Sequence, residues 1–172
     1  MKLKFTLNGQ PVHTDTAKTS DLRAVDIRAV DLLRELGALD LKEGCGTGEC
    51  GACSALVDGV HKLTCLMLPE QLHGREVVTA AGLGSPERPH PVQTAFAEHG
   101  AVQCGYCTPG MVVAAAGLLQ ANPAPSRNEV RQALSGNLCR CTGYVKIVDA
   151  VEAAARALAL DNGEEVDTEA GA

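Results

Sequence analysis

Eight cysteines fall into two groups of four along this chain. The first group is Cys45, Cys50, Cys53 and Cys65, which reads C-x4-C-x2-C with a fourth cysteine after eleven more residues. That is the spacing of plant-type [2Fe–2S] ligation. The second is Cys104, Cys107, Cys139 and Cys141, a C-x-x-C followed much later by C-x-C. Two four-thiolate sites on one short chain imply two redox centres in series, and a chain whose task is to conduct electrons.

Each site makes demands on its surroundings. A cluster with four thiolates is an anion and needs backbone N–H donors aimed at its sulfurs. Gly44, Gly46, Gly48 and Gly51 interleave with the first three cysteines and keep side chains out of the way of those donors. Cys104 and Cys107 lie just ahead of a helix starting near Pro109, where the helix N-terminus favours thiolate over thiol. Cys139 and Cys141 fall in the turn between the last two predicted helices, so helix ends are expected to supply all four ligands of the second site.

Other readings of the cysteines fit less well. Disulfides suit an even count, but Cys139-x-Cys141 is a poor internal pair. Structural zinc also takes four thiolates, yet the x4 and x1 spacings are unlike finger knuckles. Cys104-Gly-Tyr-Cys107 alone resembles a thioredoxin-type dithiol, but no βαβ pattern surrounds it. The histidines at 13, 61, 73, 90 and 99 are scattered and read as surface or capping residues. With no Ser-His-Asp set, phosphate-binding loop or apolar carboxylate pair, no catalytic residue is expected on this chain.

The elements that must position these residues can be read from periodicity and turn chemistry. Leu3, Phe5 and Leu7 alternate with polar residues up to Asn8-Gly9, and Val12-His13-Thr14 follows, as in a β-hairpin. Residues 21–36 carry Leu22, Val25, Val30, Leu33 and Leu36 at helical spacing, with Ser20 as N-cap and Gly37 as stop. Arg-Ala-Val-Asp occurs twice there, at 23–26 and 28–31, which is too little for a repeat architecture. Ser54–Val57 and Val60–Leu63 flank an Asp58-Gly59 turn, and Val77-Val78-Thr79 is one more strand. Residues 82–91, with three prolines, read as a linker. Beyond it the period is helical, at 91–98, 109–120, 127–134 behind the capping box Ser126-x-x-Glu129, and 145–160. The expected class is α+β: a small sheet with a helix across it over residues 1–82, a linker at 83–91, a helical domain at 92–160 and a tail at 161–172.

Composition narrows the function. The core must be aliphatic and Ala-rich, because aromatics are 2% against 45% hydrophobic residues overall. The net charge is −6, and Asp161, Glu164, Glu165, Asp167 and Glu169 place most of it in the tail, read as solvated and disordered. No basic stripe suits nucleic acid. The apolar runs are too short for membrane insertion, and the start has neither an apolar h-region nor twin arginines. A reducing cytoplasmic location is expected, where cysteine sets serve metals rather than cross-links.

Taken together, residues 43–53 (Glu-Gly-Cys-Gly-Thr-Gly-Glu-Cys-Gly-Ala-Cys), 103–110 (Gln-Cys-Gly-Tyr-Cys-Thr-Pro-Gly) and 136–144 (Gly-Asn-Leu-Cys-Arg-Cys-Thr-Gly-Tyr) resemble the small iron–sulfur subunit of the molybdenum hydroxylases. This is the family of xanthine dehydrogenase, aldehyde oxidoreductase and carbon monoxide dehydrogenase. The resemblance runs from about Leu3 to Leu158 and includes His90-Pro-Val-Gln93. It implies a plant-ferredoxin-like β-grasp domain followed by a four-helix [2Fe–2S] domain. It also implies a large molybdopterin subunit, an FAD subunit and a heterotrimer that can dimerise. Electrons would pass from molybdenum through both clusters to FAD or another acceptor. The substrate would be a purine or other N-heteroaromatic, an aldehyde, or CO. Gln103 and Cys141 match positions that approach the pterin in this family. Residues 16–36 are longer than the usual connection, and the tail matches no motif. The alternatives are a free-standing ferredoxin-like carrier and the subunit of a reductive aromatic acyl-CoA enzyme.

Overall fold

The computed structural model describes residues 2–15 and 27–161. Strands β1 (Lys2–Leu7) and β2 (Gln10–Asp15) pair antiparallel, with Leu3, Phe5 and Leu7 on the buried face. Asn8 and Gly9 both take positive φ, +51° and +76°, the two-residue turn whose twist matches the strands it joins. The hairpin of β3 (Ser54–Val57) and β4 (Val60–Leu63) uses the same solution at Asp58 and Gly59. Strand β5 (Glu76–Val78) joins the two hairpins, parallel to β1 and antiparallel to β3, which gives the order β2-β1-β5-β3-β4.

Helix α1 (Ala29–Glu35) lays Ala29, Leu32 and Leu33 against Leu3, Phe5, Leu7, Leu72 and Val77. It is shorter than the helix expected over 21–36. Its N-cap is Arg28, whose backbone N–H and guanidinium both reach the carboxylate of Asp31. Ser20, Leu22 and Val25, assigned to that helix from sequence, lie outside the described residues, as do residues 162–172 of the tail. Two short 3-10 turns, Thr64–Leu66 and Pro69–Leu72, follow β4. A single helical turn, α2 (Ala80–Leu83), overlaps the start of the segment read as linker.

The second half holds four helices, two short and two long: α3 (Pro91–Glu98), α4 (Thr108–Ala121), α5 (Arg127–Ala133) and α6 (Val145–Asp161). Phe96, Met111, Ala115, Val130, Ile147, Val151 and Ala154 form their core. The capping box holds: Glu129 N–H donates to Ser126 Oγ at 3.3 Å, and Ser126 N–H donates to the Glu129 carboxylate at 2.7 Å. His90 caps α3 by accepting from Val92 N–H, while Gln93 reaches back to the Ala80 carbonyl and ties α3 to α2. Every residue of β3 is buried, because α1 and the sheet core cover one side and α4 lies across the other. Among the described residues no helix is long and apolar enough to cross a membrane.

Candidate metal centres

The loop between α1 and β3 wraps the first cysteine set. Cys45 Sγ accepts from three backbone N–H groups, those of Thr47 at 3.4 Å, Glu49 at 3.3 Å and Cys50 at 3.4 Å. Cys50 Sγ accepts from Cys45 N–H at 3.4 Å. These closures need bare backbone: a Cβ on Gly44 would stand 2.8 Å from Cys50 Sγ. The hydroxyl and N–H of Thr47, with the Cys50 and Glu49 N–H groups, pull the Cys45 thiol down to about 6.

Cys65 reaches the site from the 3-10 turn that follows β4 rather than from the strand itself. Thr64 fixes it there, because its N–H and its hydroxyl both donate to the Cys53 carbonyl, at 3.2 and 2.8 Å. Cys53 and Cys65 are both buried. Burial, reinforced by the neighbouring Cys53 sulfur, pushes the Cys65 thiol up to about 11. The first set is thus two pairs, an outer Cys45/Cys50 and an inner Cys53/Cys65.

The second set is paired too. Cys141 Sγ lies 3.7 Å from Cys104 Sγ, and both residues are exposed. Cys107 is the N-cap of α4 and interacts with Cys139. Burial, then Cys139, pushes the Cys107 thiol up to about 12. Burial works the same way on Cys139, but the Thr142 hydroxyl and the N–H groups of Thr142 and Cys141 outweigh it and bring that thiol down to about 7. Of the four, Cys107 alone stands at a helix end; Cys104 lies ahead of α4, as Cys141 lies ahead of α6. Cys139 and Cys141 sit in the loop between α5 and α6, which Tyr144 closes by accepting from Cys139 N–H at 2.8 Å. Gln103 is exposed beside Cys104, and Val102, Tyr106, Leu138 and Val145 form an exposed apolar rim to the site.

A buried seam joins the sites. Leu138 N–H donates to the Cys50 carbonyl at 2.9 Å, so one hydrogen bond links a residue of the first set to the neighbour of Cys139. Asn137, buried, donates from Nδ2 to the Gly51 carbonyl at 3.0 Å and to Ser54 Oγ at 3.2 Å. Ser54 Oγ in turn donates to the Gly51 carbonyl and meets His61 Nε2 at 2.7 Å. Gly51 sits at φ +71°, and a Cβ there would lie 2.5 Å from the Gly136 carbonyl. Sequence reasoning missed Asn137 and this seam. The available signal was weak: a polar side chain near Cys139, and two glycines, Gly51 next to Cys50 and Gly110 in the first turn of α4. Tyr106 spans the same gap by donating to the Glu43 carbonyl.

The residues fit [2Fe–2S] clusters. Each of the two irons in such a cluster takes two thiolates, and the thiols here stand in pairs. Among the described residues, no group of three or more His, Cys, Asp or Glu is arranged around one metal ion. No disulfide links any of the eight cysteines.

Residues 79–152 match the model of the [2Fe-2S] binding domain family. The chain is 50% identical over 125 residues to the nicotinate dehydrogenase small FeS subunit of Eubacterium barkeri, covering 72% of this chain and 80% of that one. Its fold matches quinoline 2-oxidoreductase from Pseudomonas putida 86 with a TM-score of 0.82 and 40% identity, over 96% of this chain and 98% of that chain. It also matches aldehyde oxidoreductase from Desulfovibrio gigas with a TM-score of 0.84 and 40% identity, over 95% of this chain but 17% of that longer one.

Proposed function

This chain belongs to the iron–sulfur subunits of the molybdenum hydroxylases, and from that premise we propose that it passes electrons from a molybdopterin subunit, through its two cysteine sites in fixed order, to an FAD subunit. It is a component of a multi-subunit oxidoreductase. Its cofactors are [2Fe–2S] clusters; molybdopterin and FAD belong to the partner subunits. A loaded cluster takes up and releases one electron at a time.

Cys45, Cys50, Cys53 and Cys65 hold one cluster, and Cys104, Cys107, Cys139 and Cys141 hold the other. The observation that carries this reading is the seam, where Leu138 N–H meets the Cys50 carbonyl and leaves Cys50 one hydrogen bond from the residue next to Cys139. The order is molybdenum, second site, first site, FAD. It is supported by the exposed Gln103, Cys104 and Cys141 within their apolar rim, a surface suited to the molybdopterin partner. The separate cores of the sheet and the helices support a division into residues 1–82 and 92–160 joined by 83–91. The assembly is a heterotrimer in the cytoplasm. The substrate class is an N-heteroaromatic ring or an aldehyde, in line with the names of the similar proteins.

Cys50→Ser tests the order. Wild-type protein should hold about four iron and four acid-labile sulfide per chain. In the assembled variant, substrate should still reduce molybdenum and the second cluster, and Mo(V) should keep its paramagnetic coupling. Turnover with the final acceptor should collapse. Loss of the Mo(V) coupling while the second cluster stays intact would reverse the order.

A further inference from the structure

The loop that carries Cys139 and Cys141 is closed by side chains. Thr142 Oγ1 accepts from Tyr144 N–H at 3.3 Å. A hydroxyl has one proton to give, and here it goes to Cys139 Sγ, 3.1 Å away. Tyr144 stands at φ +68° and Gly143 at +65°, the backbone that turns the chain back on itself and holds the hydroxyl in place. The Tyr144 hydroxyl takes the Cys139 N–H and donates to the Asn137 carbonyl at 3.3 Å. The Thr142 hydroxyl is therefore oriented from both sides, and its proton has one destination.

We propose that Thr142 is a positioning residue for electron transfer, acting through Cys139 to raise the reduction potential of the second cluster. The inference rests on the assignment of that cluster to Cys104, Cys107, Cys139 and Cys141. One-electron reduction adds negative charge that spreads onto the ligand sulfurs. A donor at Cys139 Sγ stabilises the reduced cluster more than the oxidised one, so it favours electron uptake. Cys139 is half-buried, so water screens this dipole less than it would at an exposed sulfur. The N–H groups of Cys141 and Thr142 also reach Cys139, but they belong to the main chain and survive any substitution. The hydroxyl is the donor a single substitution can remove.

The experiment is a redox titration of the intact complex, monitored by electron paramagnetic resonance, in wild type, Thr142→Val and Thr142→Ser. Valine keeps the shape and removes the donor. The second cluster's potential should fall in the valine variant and return in the serine variant, while the first cluster's potential stays put. An unchanged second potential in the valine variant, an equal shift of both clusters, or a serine variant that behaves like valine overturns the proposal. If the valine variant fails to load iron, Thr142→Ala, which also removes the hydroxyl but leaves the main-chain donors, is titrated in its place. The second cluster's potential should fall in it too, and a loaded alanine variant with the wild-type potential is equally fatal. Iron and sulfide content measured alongside keeps the ligand assignment separate: half-loaded wild type refutes the assignment, whereas full loading with unmoved potentials refutes the role of Thr142.

Discussion

The two cysteine sites solve one electrostatic problem with different parts of the chain. At the first, Cys45 Sγ has the Thr47 hydroxyl and main-chain donors from Thr47, Glu49 and Cys50 around it, in a loop rich in glycine. At the second, the donors around Cys139 include a threonine hydroxyl held in place by a tyrosine backbone amide. Main-chain solvation needs room, so the first site depends on what is absent at Gly44. Side-chain solvation needs orientation, so the second depends on what is present at Thr142 and Tyr144. Both sites mix side-chain and main-chain donors, so the difference is one of degree: glycine substitutions should damage the first site more, and loss of the held Thr142 hydroxyl should be felt at the second. The seam is where the two dependences meet.

The largest effect should come from Gly51→Ala. The new Cβ would sit 2.5 Å from the Gly136 carbonyl and 2.5 Å from Asn137 Nδ2, on a backbone at φ +71°. Gly110→Ala strikes the same contact from the other side, 2.4 Å from the Gly51 carbonyl. The obstacle in both is backbone, which cannot swing away, so each should cost more than about 3 kcal/mol. Thermal loss of visible absorbance reads this, and both clusters should be lost together. Gly46→Ala is the comparison: it shares a positive φ but meets only the ends of the Arg28 and Glu43 side chains, so it should cost about 1–2 kcal/mol. If Gly51→Ala were no worse than Gly46→Ala, the seam would not join the sites mechanically.

Next in size is Asn137→Ala. It removes both Nδ2 hydrogen bonds and leaves the Gly51 carbonyl and Ser54 Oγ with fewer donors. A loss of about 1–3 kcal/mol is expected, with faster amide exchange at Leu138 and intact donors at Cys45. Among the described residues Asn137 Oδ1 has no hydrogen-bond partner, so the side chain holds the seam there as a donor alone. Asn137→Asp should be worse than alanine, because it replaces that donor with a buried charge. An aspartate variant as stable as wild type would mean the seam is wet and soft.

These variants also mark where sequence reading ran out. The hairpins at Asn8-Gly9 and Asp58-Gly59 were legible because a two-residue turn declares itself locally. The capping box at Ser126 and Glu129 was legible for the same reason. Spacing divided the cysteines into two sets, and the structure brings Cys45 near Cys50 and Cys104 near Cys141 within those sets. The seam was not, since Asn137 meets Gly51 across 86 residues of chain and neither residue has a periodicity to betray it. The turn between the last two helices does hold Cys139 and Cys141, as expected, but helix ends do not supply them: α5 stops at Ala133, and the loop that follows is built by Tyr144 and Asn137. The two 3-10 turns after β4 are short and carry no repeat, so the position of Cys65 had to come from the Thr64 bonds to Cys53.

The smallest expected effect lies at the sheet-side end of the seam and separates its polar part from its steric part. His61 Nε2 meets Ser54 Oγ, which already gives its proton to Gly51, so the imidazole must be the donor there. Burial, with the charge of Lys62 adding, holds the His61 pKa below its ordinary 6.5, so the folded protein keeps this ring neutral where the unfolded chain begins to protonate. The unfolded state then binds more protons, and stability must fall as pH falls. The contribution is whole above about 6.5, the ordinary value for histidine, and is lost as pH drops from there through the lower folded value. Thermal unfolding of wild type and His61→Gln, compared between neutral and mildly acidic pH, isolates it, because other titrating groups are common to both. Glutamine retains an amide donor for Ser54 but has no proton to gain, so the stability difference should shift against wild type as the solution is acidified. A difference that stayed constant with pH, or moved the other way, would mean that His61 does not pay desolvation at the seam and that the seam is held by glycine packing and Asn137 alone.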